Sequence, residues 1–212
     1  MTHLLDKVEA SLREYIESEI IPRYGQIDAA HDVSHIIHVI DESLSLAEMT
    51  GVDINMSYVI AAYHDLGNAV SRERHHIISG EILEGDSNLR RWFTDDEKAI
   101  MREAVEDHRA SLGHEPRSIY GKIVADADRD LSPATVIRRT IQFGKKHYSD
   151  LTDEQHYERA RDHIIRKYGT DGYMRLNFDV GKNVEYLREL REIVADEERF
   201  RRIYDEVKSN IR

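Results

Sequence analysis

The stretch Val59-Ile60-Ala61-Ala62-Tyr63-His64-Asp65-Leu66-Gly67 decides how the chain is read. An apolar run ends in a histidine and an aspartate, and a glycine follows. This pattern predicts a helix over about Asn55 to Leu66 with a glycine stop. Successive helical residues point about 100° apart, so His64 and Asp65 cannot share one flat face. They can wrap two sides of a single point, such as a metal ion. Taken alone, the pair reads first as a capped helix end with a solvated aspartate.

Working outward, helical periodicity dominates. Leu4, Leu5, Val8, Leu12, Tyr15, Ile16 and Ile20 predict one amphipathic helix ending near Pro22, and Tyr24 to Ser34 reads as a loop. A second helix is expected over about Ser34 to Met49, stopped by Gly51. Beyond Gly67, a helix opens in the stretch Ser71 to His76 and runs to Gly85. Thr94 and Glu97 form a capping box that starts the next, which carries Met101, Ala104, Val105 and His108. Ser118 to Asp128 is a further short helix. Ser132-Pro133 reads as an N-cap with proline at the first helical position. Thr152 and Gln155 repeat the capping box, with Gly169 as a stop, and helices over about 180–194 and 196–210 close the chain. No run of alternating strands and no internal repeat is present. The expected class is all-α.

The 212 residues suffice for one domain with a sizeable core, and only 3 prolines and 11 glycines interrupt it. The residues after about 132 are more charged and read as a helical extension of the same domain. Acidic residues outnumber basic ones 41 to 30, a formal charge of −11, which argues against broad nucleic-acid or anionic-membrane binding. There is no cysteine, so a metal site would have to use histidines, of which there are 12, and carboxylates. The N-terminus shows no signal pattern, and no apolar run approaches the roughly 18 residues of a membrane span. The expected location is cytoplasmic.

Several His and Asp residues fall at helix ends or on apolar faces. His35 starts the second helix beside Ile36 and Val39. His64 and Asp65 end the third, and His75 and His76 begin the fourth. His108 ends the fifth on the stripe of Met101, Ala104 and Val105, and Asp126 follows Ile123-Val124-Ala125. A buried, unpaired aspartate costs several kcal/mol or takes up a proton, and a bound cation is one way to satisfy it. Each residue also has an ordinary reading. His108 suits a helix C-terminus, Asp126 can pair with Arg129, and Asp128 and Asp130 can do the same or cap a turn. Jointly, those readings must account for five helices that each offer His or Asp at an apolar edge.

The order His35, His64-Asp65, Asp126 resembles the HD superfamily of metal-dependent phosphohydrolases. The supporting stretches are His35-Ile36-Ile37-His38-Val39, Ala62 to Gly67, and Lys122-Ile123-Val124-Ala125-Asp126-Ala127-Asp128-Arg129. The resemblance covers about residues 28–132, leaving about 133–212 as the extension of an HD-like helical bundle. His75, in His75-His76-Ile77-Ile78-Ser79-Gly80-Glu81, and His108, in Glu106-Asp107-His108-Arg109, resemble the subset that holds two metals. The resemblance implies one ion on His35, His64, Asp65 and Asp126, and a second on His75 and His108, with Asp65 bridging.

The implied activity is hydrolysis of a nucleotide or another small phosphate ester by a metal-activated water, with Asp65 orienting the nucleophile. The implied cofactor is one or two divalent transition-metal ions, from among Mn, Fe, Co, Ni and Zn. Many family members carry lysine after the signature glycine, where this chain has Asn68. That departure keeps open a di-iron oxygenase on the same ligands. A noncatalytic sensor or partner-binding domain with a structural metal is the third alternative. Arg72, Arg74, Arg109, Lys122 and Arg129 are candidate phosphate-binding cations.

Overall fold

The computed structural model describes residues 3–26, 33–109 and 113–211. Among them are ten α-helices and no strand: α1 Ala10–Tyr15, α2 Val33–Thr50, α3 Ile54–Tyr63, α4 His75–Gly85, α5 Asp95–Asp107, α6 Ile119–Ala127, α7 Pro133–His147, α8 Asp153–Tyr168, α9 Lys182–Ala195 and α10 Glu197–Ser209. The all-α expectation holds. None of the helices is long and apolar enough to cross a membrane. The chain divides into two compact units, one ending at Arg129 and one starting at Asp130.

The first unit is built around α3. Every residue from Met56 to Gly67 is buried, so this helix is apolar all round and has no solvent face. Asp53 caps its start by accepting the Met56 N–H. Helices α2, α5 and α6 pack on it, and α4 packs on α5. The core includes Ile36, Val39, Ile40 and Leu44 from α2, Met101, Ala104 and Val105 from α5, and Val124 and Ala127 from α6. The Thr94 capping box forms as expected, with side chain and backbone bonds exchanged between Thr94 and Glu97.

The N-terminal segment is not the single helix expected. A 3-10 turn at Leu5–Lys7 gives way to extended backbone at Val8, and α1 starts only after Glu9. The Glu9 carboxylate accepts the backbone N–H groups of Ser11 and Leu12, which makes it the N-cap. After α1 the helix widens into a π turn at Ile16–Ile20, then tightens to a 3-10 turn at Ile21–Gln26. Pro22 has no N–H, and its ring would strike the carbonyl four residues back in a regular α-helix. The apolar stripe survives the changes of pitch, since Leu12, Ile16, Ile20 and Tyr24 are all buried. The loop expected over Tyr24 to Ser34 lies mostly outside the described residues.

In the second unit α7 packs on α8, α8 on α9, α9 on α10, and α10 back on α7. Its own core contains Ile137, Ile141, Ile164, Leu190, Ile193, Phe200 and Tyr204. The Thr152 capping box forms. Ser132 occupies the N-cap position of α7 with Pro133 following, but its side chain makes no capping bond; the Asp130 carboxylate accepts the Ser132 N–H instead.

Gly67 fixes how closely α4 approaches the end of α3. A Cβ there would lie 2.2 Å from the His75 carbonyl oxygen and 2.9 Å from the Ser79 nitrogen. The Gly67 N–H donates to Ser79 Oγ at 2.8 Å, locking the same contact. Gly67→Ala is expected to destabilise the fold by about 2 kcal/mol or more through overpacking against backbone. Gly85→Ala, with nothing within 4 Å of the added carbon, is the matched control and should leave the melting temperature unchanged or slightly raised. Thermal unfolding of the two variants checks this.

Candidate metal centre

Three helices end at one place. His64 is the C-cap of α3, His108 the C-cap of α5 and Asp128 the C-cap of α6. Helix C-termini carry partial negative charge, so their convergence favours a cation. His35, in the first turns of α2, and His75, the first residue of α4, complete the ring of side chains. Asp65 follows His64 with φ −114° and ψ 5°, in the bridge region between helix and strand.

Among the described residues, two groups of side chains could each hold a metal ion: His35, His64, Asp65 and Asp128, and Asp65, His75 and His108. In the first, His35 Nε2 lies 3.1 Å from Asp128 Oδ1 and 3.8 Å from Asp65 Oδ2. His64 Nε2 lies 3.4 Å from Asp65 Oδ2 and 3.6 Å from Asp128 Oδ1. In the second, His75 Nε2 and His108 Nε2 are each 3.5 Å from Asp65 Oδ1. Asp65 therefore turns one oxygen to each group.

The ring nitrogens are sorted by their other bonds. His64 Nδ1 is 2.8 Å from the Ala61 carbonyl, His75 Nδ1 2.8 Å from that of Arg72, and His108 Nδ1 2.6 Å from that of Val105. A carbonyl only accepts, so each Nδ1 carries a proton, and Nε2 is the nitrogen left to face a metal ion, which would displace any proton held there. This is the arrangement that metal-binding histidines require.

The donors fit a cation in two further respects. His64 Nε2 is fully buried and makes no hydrogen bond. His75 Nε2 and His108 Nε2 face each other at 3.0 Å, which for two neutral rings brings lone pair against lone pair. A metal ion or a shared proton relieves both. The charge balance points the same way. Burial opposes the charged form of His64, but Asp65 and Asp128 outweigh it and raise its pKa to about 10. Burial likewise opposes the Asp65 carboxylate, yet His64 and His108 hold it below the usual carboxylate range. Asp128 is lowered too, against burial, by His35 and His64. His75 moves the other way: burial depresses it, the Arg72 carbonyl partly offsets this, and His108 adds to the depression.

Five of the six expected ligands come together: His35, His64, Asp65, His75 and His108. Asp126 lies in neither group, and Asp128 stands in the place expected for it. Two residues along a helix turn a side chain by about 200°, so these two aspartates face nearly opposite ways. Asp128 continues the stripe of Val124 and Ala127, which belong to the core of the first unit. Asp126 instead accepts from Arg129 Nη1 at 3.0 Å. The signal available in the sequence was the i+4 spacing from Val124 to Asp128. Of the neighbouring pair, His75 rather than His76 reaches the site.

Two residues support the site: Asn68, which stands where a lysine was expected, and Tyr24, which gave no sequence signal. Asn68 Nδ2 donates to Asp65 Oδ1 at 2.7 Å and fixes the carboxylate's rotation. Tyr24, fully buried, donates to the Ala62 carbonyl at 3.0 Å and accepts the Asp65 N–H at 3.3 Å. Its pKa is raised well above the ordinary phenol value, by burial first and then by Asp65. It holds the backbone at the junction between His64 and Asp65.

Residues 32–131 match the family model of the HD domain. Both candidate ligand groups lie inside the matched stretch. Neither the curated proteins nor the solved structures gave a match.

The geometry separates the two aspartates experimentally. Asp126→Ala is expected to keep the metal content of the wild type, and Asp128→Ala to bind its ion at least about tenfold more weakly. Elemental analysis of the purified variants, followed by metal titration, checks this. Equal retention in both would remove Asp128 from the ligand set.

Proposed function

We propose that the HD unit is a metal-dependent phosphohydrolase acting on a nucleotide or another small phosphate ester. The observation that carries this reading is the buried Asp65 carboxylate, with one oxygen toward each of two imidazole-rich groups. His35, His64, Asp65 and Asp128 would hold one ion, and Asp65, His75 and His108 a second. Imidazole and carboxylate donors without thiolate suit Mn, Fe, Co, Ni or Zn. When bound, such ions lower the pKa of a coordinated water into the neutral range.

The remaining work falls to side chains of this chain. Asp65 sits between the two groups and orients the nucleophile, and Asn68 keeps its oxygens from rotating. Asn68 carries no charge, so it cannot neutralise a phosphoryl oxygen as a lysine would. Arg109 is the nearest candidate for that role. Its Nη1 is anchored on the Glu73 carbonyl at 2.9 Å. Its charge reaches the site: His75 and His76 are depressed by burial first, and Arg109 contributes to both. His76, its ring 5.5 Å from that of His75, is placed to pass a proton to a leaving group.

The test is a panel of phosphomonoesters and phosphodiesters with Mn, Fe, Co, Ni, Zn and Mg added singly. Turnover is expected with at least one transition metal, and Asp65→Ala should lower it by about a hundredfold or more. Arg109→Gln should raise KM more than it lowers kcat. Wild-type turnover by Asp65→Ala would end the phosphohydrolase reading. Oxygen uptake by iron-loaded protein that cleaves no ester would turn it toward an oxygenase. Stoichiometric metal with no turnover of any kind would turn it toward a sensor.

A further inference from the structure

The second unit has a cavity of about 460 Å³ between α7 and α8, within the range of small-molecule sites. In a chain with a net charge of −11, its lining is strongly basic: Arg139, Arg159, Arg166 and Lys167, with His163, against the single carboxylate of Asp130. Asp130 is already engaged by the Ser132 N–H.

The register shows that this is a built face. Arg159, His163, Arg166 and Lys167 stand at i, i+4, i+7 and i+8 on α8, one side of the helix. The dipole of α8 accounts for Arg166 and Lys167, which lie in its last turn. It does not account for Arg159, in the middle of α8, or for Arg139, in the middle of α7.

Among the described residues none of the four cations is in an ion pair. Their bonds and ring contacts go to neutral groups. Arg159 Nη2 donates to the Thr140 carbonyl at 2.6 Å, Arg166 Nε to the Asp162 carbonyl at 3.4 Å, and Lys167 Nζ lies 5.1 Å from the Tyr168 ring centre. Arg159 Nε is buried with no hydrogen-bond partner. The Arg159 guanidinium fills the space left by Gly144, where a Cβ would stand 2.4 Å from Nη2, so its position is fixed by packing. The field is visible at His163, lowered by burial and further by Lys167, Arg159 and Arg166. The wall also presents aromatic surface to solvent: Phe143 is 53% and Tyr148 47% exposed, with ring centres 6.3 Å apart.

We propose that this cavity binds a small molecule that joins a phosphate to a planar ring, of the nucleotide class, with Arg139 and Arg159 on the phosphate and Phe143 or Tyr148 against the ring. A guanidinium fixed by packing, as Arg159 is, with a second beside it on the exposed side, suits phosphate oxygens, and exposed aromatic rings accept a base by stacking. The site lies in the second unit and uses none of the candidate metal ligands. It stands whether or not the HD unit hydrolyses anything.

The test uses full-length Asp65→Ala protein treated with EDTA, so that nucleotide held by metal does not contribute. AMP, ATP, adenosine and inorganic phosphate are titrated by calorimetry. AMP or ATP should bind with a Kd below about 1 mM, and adenosine more weakly. The double variant Arg139→Gln/Arg159→Gln should lose about tenfold or more in affinity. Arg139→Gln and Arg166→Gln, at exposed positions, should each weaken binding with an unchanged circular dichroism spectrum. Unchanged affinity in these single variants overturns the proposal even if the double variant misfolds. So does absence of nucleotide binding, or adenosine binding as tightly as AMP. A uridylate oligomer binding over a hundredfold tighter than UMP would overturn it in favour of single-stranded RNA.

Discussion

A carboxylate enclosed in apolar surroundings with four imidazoles close by is the constraint on which the first unit depends. Asp65 is 3% exposed, and nothing in bulk solvent can neutralise it. The fold supplies what water would have supplied. Tyr24 holds its backbone, Asn68 one of its oxygens, and His64 and His108 the charge that keeps it ionised. Replacing any of these by an apolar residue leaves a buried group unpaired, which costs about 1–3 kcal/mol for a neutral group and more for a charged one. The burial of α3 on all sides brings the pair to the centre of the unit, and the bare backbone of Gly67 lets α4 close over it.

The helices were legible because their ends are written in side chains. Thr94 with Glu97 and Thr152 with Gln155 close capping boxes where the sequence placed them. Most of the site was legible for a related reason: its histidines sit at helix ends or edges beside apolar stripes, and those positions survive errors of a residue or two. The last aspartate did not survive such an error. Asp126 and Asp128 share Ala127 as a neighbour, and the phase of α6 against the core distinguishes them. The N-terminal break at Val8 was hidden because its cause is a glutamate acting as a cap, a role for which sequence favours shorter side chains. Tyr24 was hidden because its contacts span 38 and 41 residues of chain.

Net charge proved a poor guide to local charge. The chain is acidic overall, yet α8 gathers three cations and a histidine on one side without a carboxylate among them. The first unit shows the converse, gathering carboxylates beside the negative ends of three helices. Composition constrains what the whole surface attracts, and each of these concentrations acts over about 8–10 Å because salt screens anything longer. The two features belong to separate units, and neither requires the other.

The histidine Nδ1 bonds have a consequence for what the chain can tolerate. At His64 and His108 the carbonyl that orients the ring lies three residues back, in the last turn of α3 and α5. A carbonyl in a helix's last turn lacks the usual partner four residues on, and that of Val105 takes only a long bond, 3.5 Å, from the His108 N–H. One bond therefore both finishes the helix and aims the ligand. Substitutions on the outer faces of these helices leave that bond alone. A one-residue insertion or deletion within α3 or α5 would rotate the ring by about 100° about the helix axis relative to the packed face. Helix length in this unit is thus a fixed quantity, while much of the surface sequence is free to drift.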